Sequence, residues 1–187
     1  MILFINPPSR AGIYQGLGDS LAAIEPPSWC RLLASYCEKR GIEADIIDLN
    51  AIESGHINMV DYDDPTELIV IVAHGHQPSA STQTMASTIE TCRIIKLGWP
   101  NIPVLIVGGH PAALPERTLE ETGADCVCTG EGPTTILQLY AALCYKNWRE
   151  KLQFVPGLYY AYAKTKPCQN VFSLTEEMPG GMWDKLP

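Results

Sequence analysis

The chain has 187 residues, enough for one well-buried core and short for two full domains. It is 46% hydrophobic and 18% charged, an ordinary globular composition. Its net charge of −8 argues against a nucleic-acid groove or an anionic membrane surface as partner, and no stretch approaches the ~20 apolar residues that span a bilayer.

Ile2-Leu3-Phe4-Ile5 predicts a buried first strand, cut off by Asn6-Pro7-Pro8. Met1 to Pro8 has neither the basic flank nor the apolar length of a secretory signal, so the cytoplasm is the expected compartment. After a polar, Gly-rich loop, Pro26-Pro27 opens a helix through Arg40, with Trp29, Leu32, Leu33 and Tyr36 at apolar spacing and Gly41 as a stop. Ala44–Leu49 predicts a second strand. Leu68–Ala73 predicts a third, whose aliphatic, β-branched run suits a central parallel strand covered on both faces. A helix over Ser81–Leu97 follows, then a fourth strand at Val104–Val107. Pro115 opens the next helix, which Gly123 ends. Asp125–Thr129 is the fifth strand, and a last long helix runs from Pro133 to Trp148.

Strands alternating with helices imply a Rossmann/flavodoxin-like, doubly wound α/β fold with a five-stranded parallel sheet in the order 2-1-3-4-5. Ligands in such sheets bind outside the carboxyl ends of the strands, beside the switch between the first and third strands. Beyond residue 150, Phe154–Ala163 and Asn170–Leu174 predict a small hairpin around Lys164-Thr165-Lys166-Pro167. The breaker-rich end, from Met178 to Pro187, reads as a linker.

Cysteines stand at positions 30, 37, 92, 126, 128, 144 and 168, with none of the pair spacings of a zinc knuckle, a redox dithiol or an iron–sulfur site. Cys126 and Cys128 alternate along a strand and share one face, where they read as core packing. The usage fits a reducing compartment.

Four loops fall on the expected ligand edge. The first runs from Asn6 through Tyr14 and Gln15 to Glu25 and Pro27, a length that is usually functional. The third strand leads into His74-Gly75-His76-Gln77-Pro78-Ser79-Ala80-Ser81-Thr82, dense in hydrogen-bonding groups. The fourth leads into Gly108-Gly109-His110-Pro111, and the fifth into Gly130-Glu131-Gly132-Pro133. Glycine after a strand is ordinary turn chemistry, and it also lets a bulky ligand approach the backbone. The two readings are open at any one loop, but the agreement of several on one edge favours a ligand. Glu131 is either a ligand acceptor or an acid answering a helix dipole. Phosphate-binding glycine fingerprints, a P-loop lysine and a nucleophile elbow are absent from the sequence. No catalytic carboxylate pair is evident. His74 and His76 point to opposite faces of an extended chain and read as polar loop groups or cofactor contacts rather than metal ligands. His56 reads as a surface residue.

Asn6-Pro7-Pro8, Glu25-Pro26-Pro27-Ser28-Trp29, Gly108-Gly109-His110-Pro111 with Leu114-Pro115-Glu116, and Gly130-Glu131-Gly132 together resemble the amino-terminal cobalamin-binding domain of cobalamin-dependent radical S-adenosylmethionine enzymes. The resemblance covers residues 1–150. Pro156-Gly157-Leu158-Tyr159 and Trp183-Asp184-Lys185-Leu186-Pro187 resemble the connector before the radical domain, so residues 151–187 are expected to be a hairpin and linker toward such a domain. The resemblance implies cobalamin as cofactor, with S-adenosylmethionine and a 4Fe-4S cluster in the full enzyme. It also implies a radical catalytic domain in cis or in trans, because the three-cysteine motif is not in these residues. The chain itself would then carry no catalytic residue.

None of His56, His74, His76 or His110 stands in the Asp-x-His-x-x-Gly context whose histidine coordinates cobalt in other cobalamin domains. The resemblance therefore implies cobalamin bound with its base displaced and without that ligand. By the same resemblance, Gln77, Ser79, Ser81, Thr82, Gly108 and Gly109 would line the nucleotide tail. Tyr14, Gln15 and Glu25 would meet the ring edge, with Asn6, His74, Gly75 and His110 as further contacts. Gly130 and Gly132 would allow close approach, and Glu131 would accept from a corrin amide or the ribose. The implied reaction is radical methyl transfer to carbon or phosphorus, with ring formation as a family variant. Two rival readings stay open: a stand-alone cobalamin carrier or sensor, and a flavodoxin-like FMN or nucleotide domain. A receiver domain needs an acidic pair after the first strand and an aspartate after the third, and it lacks both here.

Overall fold

A computed structural model describes residues 1–8, 26–51, 66–75, 78–169 and 173–178. Its centre is a parallel sheet built from the predicted aliphatic runs: β1 (Ile2–Asn6), β2 (Ala44–Asp48), β3 (Leu68–Val72), β4 (Val104–Val107) and β5 (Cys126–Cys128). They pair in the order β2-β1-β3-β4-β5, all parallel, as expected. In register, Ile2 of β1 stands between Ala44 and Leu68.

Alternation along these strands splits the core in two. Ile2, Phe4, Val70, Leu105 and Cys126 point to one face, where they pack with Leu33 and Cys37 of α1 (Ser28–Glu38) and with Ile136 and Leu139 of α6 (Pro133–Leu143). Leu3, Ile5, Ile69, Ile71 and Ile106 point to the other, against Met85, Cys92 and Ile95 of α3 (Met85–Gly98). Every residue of β3 is buried, which explains its unbroken apolar run. At about 25 cal/mol per Å² of apolar surface, each such side chain contributes roughly 1.5–3 kcal/mol. Asp125 ties the bottoms of β4 and β5 to α3: one carboxylate oxygen accepts from the Val104 amide and from Lys96 Nζ, each at 2.8 Å.

Several boundaries differ from expectation. The predicted helix over 81–97 is two, α2 (Pro78–Gln83) and α3, joined at Thr84. A short helix α4 (Gly109–Ala113) follows β4 directly, ahead of α5 (Pro115–Thr122), which ends on Gly123 in the left-handed conformation as its sequence implied. α6 stops at Leu143, and α7 (Trp148–Lys151) is separate.

The largest correction concerns the hairpin. The strands are β6 (Leu158–Tyr160) and β7 (Ala163–Lys164), and β6 pairs antiparallel with β5, so the hairpin extends the same sheet to seven strands. Its turn is Ala161-Tyr162, both at positive φ (43° and 61°), rather than Lys164–Pro167. Turns of this two-residue kind match the twist of paired strands, which outweighs the steric cost of the two non-glycine residues. Thr165 instead closes the ladder, its hydroxyl accepting from the Leu158 amide at 2.9 Å. Asn170 lies outside the described residues, and Leu174–Glu177 is a short helix, α8.

Among the described residues no helix is long and apolar enough to cross a membrane. Cys30, Cys37, Cys92, Cys126 and Cys128 are buried free thiols, Cys126 and Cys128 on one face of β5 as predicted. Burial pushes Cys37 and Cys92 up to about 12 and raises Cys30, Cys126 and Cys128 as well. Iodoacetamide on the native protein at pH 8 is therefore expected to modify exposed Cys144 first and to spare these five until denaturant is added. Peptide mass spectrometry reads the result, and modification of Cys126 in folded protein would contradict the packing.

Candidate functional site at the strand ends

The carboxyl ends of β1, β3, β4 and β5 open on one edge. At its middle, Ala73 leaves β3 with its amide donating to the Val107 carbonyl at 2.7 Å. The carbonyl of Ala73 accepts a short hydrogen bond from the Ser81 hydroxyl of α2. That hydroxyl in turn accepts from the His110 amide at 2.9 Å. Gly108 passes so near that a Cβ there would lie 2.2 Å from the Ala73 oxygen, so only glycine fits.

The glycines on this edge therefore divide. Gly75 is packed on Ala80, where an added Cβ would sit 2.1 Å from the alanine methyl. Gly132 takes φ +108° and brings α6 in close to Val107 and Leu33. Gly75, Gly108 and Gly132 thus answer to the chain's own packing. Gly109 and Gly130 are different: among the described residues a Cβ at Gly109 would meet only Ser81 at 3.7 Å, and one at Gly130 only Cys168 at 3.9 Å. These two leave room for a ligand.

Two imidazoles stand beside them. His74 stacks on Trp29 of α1, ring centroids 4.2 Å apart and planes 16° from parallel. Its Nε2 is buried with no hydrogen-bond partner among the described residues, and burial pushes its pKa down to about 4, so the ring is neutral at pH 7. His110 has Nδ1 3.0 Å from the Thr82 hydroxyl, while its Nε2 is likewise buried and unpartnered. Buried polar atoms are nearly always satisfied, so two orphans on one edge are unusual.

At the ends of the neighbouring strands β1 and β2, Asn6 donates to Asp48 at 2.7 Å. Asp48 also accepts from the Asn50 amide, and Asn50 reaches the Pro7 carbonyl at 3.1 Å. Burial raises the Asp48 carboxyl against these hydrogen bonds, which lower it. Asn6 is thus held in a knot that ties the first two strand ends together.

The structure gathers His74, Gly75, Ser81, Thr82, Gly108, Gly109 and His110 at the ends of β3 and β4. Asn6 ends β1, and Gly130, Glu131 and Gly132 follow β5, with Glu131 exposed. Tyr14, Gln15, Glu25, Gln77, His56 and His76 lie outside the described residues, as does the side chain of Ser79. Sequence reasoning missed Trp29, Asp48 and Asn50. A tryptophan in the first turn of the helix that starts at this edge was the available signal for Trp29.

The model of the B12 binding domain family matches residues 14–139. The chain belongs to that family. Membership makes cobalamin its cofactor, and the edge described above suits such a group, with two unsatisfied imidazole nitrogens beside open glycines. Among solved structures, this B12-binding domain is similar to TsrM from Kitasatospora setae, a radical S-adenosylmethionine methyltransferase. With tryptophan and a S-adenosylmethionine analog bound, the likeness has a TM-score of 0.66 at 16% identity over 90% of this chain and 30% of that one. With cobalamin and a [4Fe-4S] cluster bound, the TM-score is 0.65 at 16% identity over 92% of this chain and 30% of that one. The cobalamin-dependent radical enzyme OxsB, with aqua-cobalamin and S-adenosylmethionine, gives 0.62 at 16% identity over 91% and 22%. These likenesses concern the fold, and the chain spans less than a third of either protein. No curated protein matches.

Removing the Ser81 hydroxyl strands both the Ala73 carbonyl and the His110 amide, so Ser81→Ala is expected to cost about 2–3 kcal/mol in chemical denaturation. Acid should act through His74. Its folded pKa lies below the unfolded value, so the unfolded chain takes up a proton first, and stability falls as pH drops from about 6.5 toward 4. Between pH 7 and pH 5 the free protein should lose about 2 kcal/mol by this route, a loss that His74→Phe should abolish.

Proposed function

We propose that this domain holds cobalamin across the carboxyl ends of β1, β3, β4 and β5 with the nucleotide base displaced. In this reading it is the cofactor-binding part of a radical S-adenosylmethionine methyltransferase-type enzyme. The observation that carries the reading is the pair of buried, unpartnered imidazole nitrogens on His74 and His110 beside the open backbone of Gly109. A ligand with many amide groups on its rim supplies partners for such atoms. Family membership names the ligand, and the absence of an Asp-x-His-x-x-Gly sequence favours the displaced base.

Each residue then has a task. Thr82 sets the orientation of His110, whose free nitrogen faces the ligand's polar rim. Gly109 and Gly130 let the ligand approach the backbone, and Glu131 offers an exposed acceptor for a corrin amide or ribose hydroxyl. Ser81, Gly75, Gly108 and Gly132 shape the cradle, and Asn6 holds its first strand end. When bound, cobalamin supplies a cobalt centre that can carry a methyl group. S-adenosylmethionine and the 4Fe-4S cluster belong to the catalytic domain, in the same chain or another. The likeness to TsrM, of which this chain spans 30%, favours the same-chain arrangement. Free thiols at all seven cysteines fit a reducing compartment, and we assign the protein to the cytoplasm.

Ultraviolet–visible titration of the purified chain with hydroxocobalamin and methylcobalamin, followed by gel filtration, tests the reading. Colour retained with the protein and a base-off methylcobalamin spectrum are expected. Gly109→Trp should fold normally and lose that colour, because the indole would occupy the open edge. Folded protein that retains no cobalamin would refute the assignment, and a Gly109→Trp variant of unchanged affinity would move the site elsewhere.

A further inference from the structure

We propose that Cys128 and Cys168 form a reversible disulfide that pins the chain beyond the β6–β7 hairpin to the carboxyl end of β5. Both are free thiols in the structure. Cys128 is buried at the last position of β5, and Cys168 is half-buried a short way past β7.

Strand pairing brings the two together. Thr129 donates its amide to the Gly157 carbonyl at 2.8 Å, and the Gly157 amide donates to the Lys166 carbonyl at 2.7 Å. The backbone just after Cys128 and the backbone just before Cys168 are therefore joined through one intervening residue.

Their side chains then converge on the same neighbours. The Cys128 thiol donates to the Gly130 carbonyl, with Sγ 3.4 Å from the oxygen. A Cβ at Gly130 would meet the Cβ of Cys168 at 3.9 Å. At Gly157, whose φ is +72°, a Cβ would lie 2.8 Å from that same atom and 2.6 Å from the Thr135 hydroxyl oxygen. Two glycines thus keep the space around the pair free of other side chains. Burial raises the Cys128 pKa most, hydrogen bonding from the Gly130 backbone and the Thr135 side chain lowers it, and a charge on Cys168 raises it.

Cys126 is the obvious rival partner, since it shares a face of β5 with Cys128. Residues two apart on a strand, however, keep parallel Cβ atoms about 6.6 Å apart, whereas a disulfide needs them within about 4.5 Å. Cys168 comes from another strand's end and escapes that limit.

Exposure divides the chemistry between the two thiols. A low-molecular-weight disulfide of the glutathione class serves as oxidant. The Cys168 thiolate attacks one of its sulfurs, its S–S bond breaks, and one thiolate leaves. Cys128 then gives its proton to solvent, attacks the Cys168 sulfur and expels the second thiolate. Two protein thiols lose two electrons, and one small disulfide becomes two thiols. Excess reducing thiol runs the exchange backwards, so in a reducing compartment the bond is a response to oxidant rather than a permanent staple. Once formed, it holds the segment around Cys168 beside Gly130, one of the two open glycines of the strand-end edge. Redox state then sets whether this part of the chain can leave that edge, whatever ligand the edge takes.

The test is equilibration of the purified chain against mixtures of reduced and oxidised glutathione, followed by acid quench, alkylation and peptide mass spectrometry. A Cys128–Cys168 crosslinked peptide should appear as the oxidised fraction rises and vanish on return to dithiothreitol. Cys30, Cys37, Cys92 and Cys126 should stay reduced, and exposed Cys144 should take only a glutathione adduct. The crosslinked chain should melt several degrees above the reduced one, because the bond restricts the unfolded chain. Cys168→Ser, at a half-buried position, should fold, keep Cys128 reduced and lose the rise in melting temperature. Cys168 that stops at the glutathione adduct would overturn the proposal, as would a crosslink of either thiol to a different cysteine. Oxidation of Cys128 in Cys168→Ser would overturn it as well. So would a crosslinked chain that melts no higher than the reduced one, since the bond would then form only by opening the strand end.

Discussion

Around the carbonyl oxygen of Ala73, the ends of β3 and β4 meet α2. Ser81 donates to it, and Gly108 crosses within a distance that excludes any Cβ. The amide of the same residue is bonded to Val107, so Ala73 is committed through both its N–H and its carbonyl. Because the Ser81 hydroxyl also receives the His110 amide, the start of α4 is registered to the start of α2. Both imidazoles of the edge hang from this junction, His74 as the next residue along and His110 through its backbone.

A junction of this kind gives a binding edge stiffness without filling it. The polar groups nearest the sheet are matched to one another, and the unmatched ones, the two Nε2 atoms, lie on side chains. Desolvation keeps His74 neutral at physiological pH. At the other end of the edge, Asn6, Asp48 and Asn50 form a second matched cluster across the β1–β2 boundary. The carboxylate there accepts from the side-chain amide of Asn6 and the backbone amide of Asn50, which orients the loop backbone.

The scaffold beneath is redundant by comparison. Two apolar layers clamp the sheet from either face, and β3 is buried along its whole length. The β6–β7 hairpin adds two antiparallel strands outside β5, so the short Cys126–Cys128 strand is covered on both sides rather than left as an edge. Substitutions in those layers act on stability.

Periodicity and punctuation made much of this legible. The aliphatic run at Leu68–Val72, the Pro115 and Gly123 boundaries of α5, and the glycines after β4 and β5 all stood out as written, and with them the strand order. The hairpin did not, because Ala161-Tyr162 carries none of the glycine or asparagine that normally marks a two-residue turn, and its register was set by pairing with β5. Nor could the sequence separate glycines needed for packing from glycines that leave space, since that depends on what lies opposite each missing Cβ. By itself the sequence determined the doubly wound class and the family resemblance, both of which follow from local pattern. Only the tertiary structure decided that Ser81 serves the backbone, that Trp29 meets His74, and that two imidazole nitrogens remain unpartnered. The Ser81–His110 and Trp29–His74 contacts join residues 29 and 45 positions apart, which no local pattern encodes.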